Sequence, residues 1–132
     1  MNVELLKRVA LLIKQEPKAF DMDSYATKTT DSPCGMTHCI GGACCMLTFP
    51  HQFITGALDS FENIDFELAC KAAGLTKDQA ERLFYIDERH RDGAEGWPEE
   101  FIKRYDRVRS AKAKALVAHD RILHFIKTKG RE

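Results

Sequence analysis

Residues 74–84 have the sequence Gly74-Leu75-Thr76-Lys77-Asp78-Gln79-Ala80-Glu81-Arg82-Leu83-Phe84, which predicts the end of one helix and the start of another. Glycine is common just beyond a helix because it adopts the left-handed backbone conformation without steric cost. Threonine is common just before a helix because its hydroxyl accepts a hydrogen bond from an unpaired backbone amide. Gly74 is therefore predicted as a C-cap and Thr76 as an N-cap, with a helical corner between them.

Helical patterns extend from this corner toward both ends of the chain. Residues 3–15 carry apolar side chains at helical spacing until Pro17, and further helices are expected at 38–48, 65–73, 76–86, from Pro98 onward and at 111–127. In the last of these, five side chains are expected to face inward: Ala115, Leu116, Ile122, Leu123 and Ile126. We find no convincing strand pattern. The sequence predicts an all-α fold, a compact orthogonal helical bundle of about five to seven helices that forms one domain over residues 1–132.

The composition is that of a globular protein. Hydrophobic residues make up 44% and charged residues 30% of the 132 residues, which lies within the globular range. The longest aliphatic run near the start, residues 9–13, is too short for a secretory or membrane-spanning segment. The five cysteines are an odd number and are expected to remain reduced thiols. We therefore expect a cytoplasmic protein with no membrane partner.

The charged residues are distributed unevenly along the chain. Residues 1–100 hold 10 Lys and Arg against 17 Asp and Glu, whereas residues 101–132 hold 10 against 3, so the two parts carry −7 and +7. Such asymmetry permits an anionic partner for the C-terminal part. We expect instead that the two parts attract each other within one fold, because the excess cations also suit the solvated face of a helix.

Residues 34–51 concentrate the side chains that could perform chemistry. Four cysteines and two histidines fall within these 18 residues: Cys34, His38, Cys39, Cys44, Cys45 and His51. Thr37 is expected to cap the helix over 38–48, and Gly41 and Gly42 within it favour the close approach of another element. The first expectation is therefore a central helix whose cysteines are small apolar core residues.

Two kinds of reactive site are alternatives to this core interpretation. A zinc site would draw its ligands from Cys34, His38, Cys39 and His51. Cys44 and Cys45 are neighbours on the predicted helix, so their side chains point about 100° apart. This spacing argues against the Cys-x₂₋₄-Cys knuckle of structural zinc sites. A thiol nucleophile would be Cys34 or Cys39, the latter at a helix start that stabilises a thiolate, with His38 or His51 as base. No other cofactor is predicted.

Three segments together resemble a family of small bacterial and phage-type proteins. They are Cys34-Gly-Met-Thr-His-Cys-Ile-Gly-Gly, Gly74-Leu-Thr-Lys-Asp-Gln-Ala-Glu-Arg-Leu-Phe-Tyr with the later Trp97-Pro98, and Asp120-Arg-Ile-Leu-His-Phe-Ile. The family pattern is Cys-Gly-Thr-x-x-Cys-Ile-Ala-Gly, so Met36 and Gly41 depart from it while the Cys-Gly-x-x-x-Cys-Ile-x-Gly spacing is kept. The resemblance covers about half the chain. It implies the same helices and the same cysteine segment but no activity.

Trp97 and the Gly74 corner are the remaining candidates for a functional surface. Trp97, the only tryptophan, is either an exposed anchor for a partner or a packed staple at the start of the following helix. The corner has a helix-turn-helix pattern, but Lys77 and Arg82 are offset by acidic neighbours, so nucleic-acid binding is not predicted. We interpret the chain as a non-catalytic helical binding or accessory module that acts through another protein. A Cys/His-dependent site in residues 34–51 is the alternative, and the sequence leaves open whether the chain is an enzyme.

Overall fold

The computed structural model describes residues 1–22, 26–28, 36–50, 66–86 and 96–132. Within them the chain forms six helices, which are α1 Val3–Gln15, α2 Ile40–Thr48, α3 Phe66–Ala73, α4 Lys77–Phe84, α5 Glu99–Arg107 and α6 Ala111–Lys127. Pro17–Ala19 form a single 3-10 turn after α1. The predicted all-α bundle of five to seven helices is confirmed.

The helical corner at Gly74 has the predicted geometry. Gly74 has a φ of +61°, and a Cβ built there would lie 3.4 Å from the backbone nitrogen of Asn2. The Thr76 hydroxyl accepts a hydrogen bond from the Gln79 amide at 3.3 Å, and the Gln79 side chain accepts one from the Thr76 amide at 3.2 Å. This reciprocal pair satisfies two of the amides that a helix start leaves unpaired. The corner is therefore held by its own sequence.

A short two-stranded ladder was not expected from the sequence. Strands β1 Ala26–Lys28 and β2 Met36–His38 pair antiparallel, with Ala26 opposite His38. Three residues are too few for an alternating apolar pattern to be recognised, which is why the strands were missed. Their consequence is local, since β2 leads directly into α2 and places His38 beside the chain at Phe20.

The helices pack around one cluster of buried apolar residues to which all six contribute. Helix α1 lies along α6, α2 packs on α3, and α5 packs on α6. The buried side of α1 is formed by Leu5, Leu6, Val9, Ala10 and Ile13. No helix among the described residues is both long and apolar enough to cross a membrane.

Helix α6 has the predicted bounds but not the predicted orientation. Its buried residues are Ala115, Val117, Ala118, Arg121, Ile122 and Phe125. Leu116 and Leu123, expected to face inward, are 46% and 43% exposed. The helix is packed by α1, α5, α4 and the 3-10 turn, and these neighbours cover the side opposite to the two leucines. The prediction for Leu116 and Leu123 is therefore wrong.

Candidate functional site

The start of α2 is built around Cys39 rather than Thr37. Thr37 belongs to β2, so the predicted Thr37 cap is wrong. Cys39 has extended backbone angles, φ −84° and ψ −176°, and is the N-cap. Its Sγ accepts a hydrogen bond from the Gly42 amide at 3.4 Å, and its carbonyl accepts one from Ala43 at 2.9 Å. The thiol therefore does the work of a capping side chain at a buried helix start.

Burial makes the Cys39 thiol a weaker acid than a solvent-exposed cysteine. The loss of solvent raises the pKa of Cys39 to about 11, and this outweighs the amides of Gly42 and Gly41, which lower it. At neutral pH only about one Cys39 in 10⁴ is a thiolate. The stabilised thiolate expected at a helix start is thus not what the structure shows. Burial also raises the pKa of Cys44, and the nearby thiols of Cys45 and Cys39 add to that increase.

His38 lies next to Cys39 in the chain, and the hydrogen bonding that affects its ring is to the backbone of residues 38 and 39. The ring is 1% exposed, and its Nδ1 has no hydrogen-bond partner among the described residues. The His38 carbonyl accepts a hydrogen bond from the Asp21 amide at 3.0 Å. Burial lowers the pKa of His38, although hydrogen bonding to the backbone opposes this. The neutral imidazole is therefore the favoured form.

The other predicted ligands of this segment do not form a metal centre with His38 and Cys39 in the described part of the chain. No group of three or more His, Cys, Asp or Glu side chains there has an arrangement suited to a metal ion. Cys34 and His51 lie outside the described residues. Cys44 and Cys45 are fully buried, and Cys70 on α3 is half-buried. A zinc site that includes Cys34 or His51 stays a prediction.

Trp97 is a packed residue and not an exposed anchor. Its side chain is 3% exposed, and its Nε1 donates a hydrogen bond to the Leu83 carbonyl at 2.8 Å. The indole ring meets Tyr105 edge to face, with centroids 5.6 Å apart. It therefore fastens the start of α5 to the end of α4, as the staple alternative expected. The alternative in which Trp97 is an exposed anchor is contradicted by this burial.

Arg121, whose burial the sequence did not predict, is the largest fully buried side chain among the described residues. Its guanidinium donates hydrogen bonds to the carbonyl of Arg82 at 2.8 Å and to that of Glu132 at 3.0 Å. The group also lies 5.4 Å from the ring centre of Phe125. Burial lowers the pKa of Arg121 to about 10, so the side chain remains charged at neutral pH. It fixes α6 to α4. Arg121 is three residues after Ala118 and four before Phe125, and this helical spacing was the feature of the sequence that indicated an inward position.

The exposed side of α6 presents four residues that we call the α6 stripe, namely Lys112, Leu116, Leu123 and Lys127. All four are exposed, and Leu116 and Leu123 lie seven residues apart, which places them on the same side of the helix. Asp120, between the leucines in sequence, accepts a hydrogen bond from Arg104 of α5 at 2.5 Å. The stripe therefore combines two apolar side chains with a lysine beyond each of them.

A scan of protein-family models, a search of curated proteins and a search of solved structures each give no match to this chain. The resemblance to the Cys-Gly-x-x-x-Cys-Ile-x-Gly proteins accordingly stays a prediction from the sequence.

Proposed function

We propose that the chain is a non-catalytic helical binding module that contacts another protein through the α6 stripe. The observation that carries the proposal is the exposure of Leu116 and Leu123 on one side of the longest described helix. Single exposed leucines are ordinary on protein surfaces. Two leucines seven residues apart have the spacing at which the apolar face of one helix contacts a binding partner.

The stripe lies on a rigid support, which favours binding. Ser110 caps the start of α6 by accepting a hydrogen bond from the Ala113 amide at 3.2 Å. The buried Arg121 ties the middle of the helix to the Arg82 carbonyl. Binding to a surface that is already ordered loses less conformational entropy than binding to a mobile segment. The two leucines are therefore held in position before a partner arrives.

The second candidate is the Cys/His-dependent site in residues 34–51. One observation favours it, namely the buried Nδ1 of His38 without a hydrogen-bond partner among the described residues, because such a nitrogen is a good metal ligand. The protonated Cys39 thiol argues against a nucleophile. Metal analysis of protein purified without a His-tag separates this candidate from the first, since stoichiometric zinc would favour it.

Site-specific cross-linking in cells that produce the protein tests the binding module. A photoreactive benzophenone side chain in place of Leu116 or Leu123 should give one discrete cross-linked product. The matched control carries the same group in place of Leu11, which is 52% exposed on the outward side of α1. Equal products from position 11, or none from positions 116 and 123, would contradict the proposal.

A further inference from the structure

The α6 stripe follows one narrow line along the helix. Its residues are separated by four, seven and four positions, so at 100° per residue they fall within an arc of about 60°. The line from Lys112 to Lys127 is about 22 Å long, because each helical residue rises 1.5 Å. The stripe therefore has an apolar centre with a cation at each end, over roughly four helical turns.

The charges at the two ends of the stripe are available to a partner. Lys112 and Lys127 are exposed and form no ion pair with any of the residues that the structure describes. Asp120, the only carboxylate of α6, is held by Arg104 and contacts His119 Nδ1 at 3.1 Å. The stripe thus offers two unpaired cations. Asp120 already has cationic neighbours, and the other carboxylate that contacts this helix, Glu132, lies 3.0 Å from His124 Nε2.

The symmetry of the stripe disfavours a second copy of the same chain. Lys112 and Lys127 lie at equal distances in sequence from the midpoint between Leu116 and Leu123. In an antiparallel pair of stripes with the leucines aligned, Lys112 of one copy would face Lys127 of the other. In a parallel pair, each lysine would face its own counterpart. Either arrangement brings like charges together, which destabilises an interface.

We infer that the α6 stripe receives an acidic amphipathic helix of another protein, whose apolar side covers Leu116 and Leu123 and whose carboxylates meet Lys112 and Lys127. The inference rests on the proposed function and adds the chemistry of the partner. The leucines provide the apolar contact, and the lysines select an acidic sequence and speed its association. A nucleic acid offers phosphates for the lysines but no comparable apolar side for the leucines.

Designed peptides provide a direct test with the purified full chain. The probe is a fluorescent helix-forming peptide with a leucine stripe and glutamates at both ends, compared with the same peptide carrying lysines in place of the glutamates. A third peptide has serines in place of the leucines. Fluorescence anisotropy should show binding of the acidic peptide, at least tenfold weaker binding of the basic peptide and no binding of the serine peptide.

Protein variants locate the binding and separate local from overall charge. The double variant Lys112→Glu, Lys127→Glu should weaken the acidic peptide by about tenfold, because two exposed charge pairs are reversed. The control Lys14→Glu, Lys18→Glu makes the same change in net charge at exposed positions outside α6 and should leave the affinity within about twofold. Leu116→Ser, Leu123→Ser should abolish binding.

The results distinguish the partner chemistry from the proposed function. Equal binding of both charged peptides, equal loss in the Lys14 and Lys18 control, or tighter association with phosphatidylserine vesicles or duplex DNA would overturn the acidic helix. In those cases a discrete cross-link from positions 116 and 123 would still support the binding module. Acidic-peptide binding that survives Leu116→Ser, Leu123→Ser would overturn the use of the stripe itself.

Discussion

The start of α2 and the outward side of α6 show opposite relations between residue type and burial. At the start of α2, residues that could perform chemistry, His38 and Cys39, are almost completely buried. On α6, two leucines of a kind that normally forms the core are exposed. Residue type therefore indicates only what a side chain is able to do. The elements packed around it decide whether it does so.

The Cys39 thiol shows how far burial can reverse a local rule. A helix start lowers the pKa of a cysteine when solvent also reaches the sulfur. Here the Gly42 amide donates to the sulfur, yet the pKa rises from 9.0 to about 11. A shift of that size corresponds to roughly 3 kcal/mol against the thiolate. The helix start therefore contributes capping of α2 rather than activation of the thiol.

The largest change in the free energy of unfolding is expected from overpacking α2. It tests whether the surroundings of α2 are filled, unlike the exposed side of α6. Gly41 and Gly42 are both buried in α2. Gly42→Leu should lower the free energy of unfolding by about 3 kcal/mol, because several methylenes must enter a filled region. Thermal and urea denaturation measure the change.

Thr48→Leu is the matched control for that substitution. Thr48 is the last residue of α2 and is exposed, so the added apolar volume meets solvent instead of a neighbouring element. Because the Thr48 hydroxyl donates a hydrogen bond to the Cys44 carbonyl at 2.8 Å, we expect a loss of at most about 1 kcal/mol. A Gly42→Leu protein that melts at or above the parent temperature would show that α2 is not tightly packed.

A smaller effect is expected from the protonation of His38. Because burial lowers the pKa of His38 below its usual 6.5, the unfolded chain binds this proton more readily than the folded chain. The stability is therefore fully present above about pH 6.5 and declines as the pH falls toward the lower folded pKa, by up to about 1.4 kcal/mol per pH unit. Urea denaturation at a series of pH values between 7 and 5 measures this slope.

The variant His38→Gln assigns the slope to this ring. Glutamine does not titrate in this range, so the part of the slope caused by His38 should disappear even if the variant is less stable at every pH. A slope that persists unchanged in His38→Gln would mean that other groups cause it. It would also mean that the ring at the start of α2 is not as buried as the structure shows.

The sequence predicted the features that depend on neighbouring residues in the chain and missed those that depend on distant ones. The Thr76 cap and the bounds of α6 follow from local signals, and both are confirmed. Arg121 was missed because its burial requires carbonyls of residues 82 and 132. The Cys39 cap depends on β2, whose pairing with β1 joins residues about ten positions apart.

The orientation of α6 shows why an apolar pattern alone was insufficient. Leu116 and Leu123 were assigned to the core because they are leucines at helical spacing. Val117, Ala118 and Phe125 lie on a different side of the helix, and the neighbouring elements pack against that side. When a helix has apolar residues on two sides, its sequence does not show which side faces the core. The tertiary contacts of α1 and α5 with α6 supply that information.

The smallest change in the free energy of unfolding is expected from substitutions of Leu116 and Leu123, whose exposure supports the proposed function. Leu116→Gln and Leu123→Gln should each change the free energy of unfolding by less than about 0.5 kcal/mol, because neither loses much buried area. The neighbouring Ile122 is fully buried, so Ile122→Ala should cost about 2–4 kcal/mol. Urea denaturation of the three variants tests adjacent positions on the same helix. If Leu123→Gln were as destabilising as Ile122→Ala, Leu123 would belong to the core, and the α6 stripe would lose half of its apolar centre. If Leu116→Gln and Leu123→Gln fold normally but bind the acidic peptide more weakly, the two leucines contribute to binding and not to the stability of the fold.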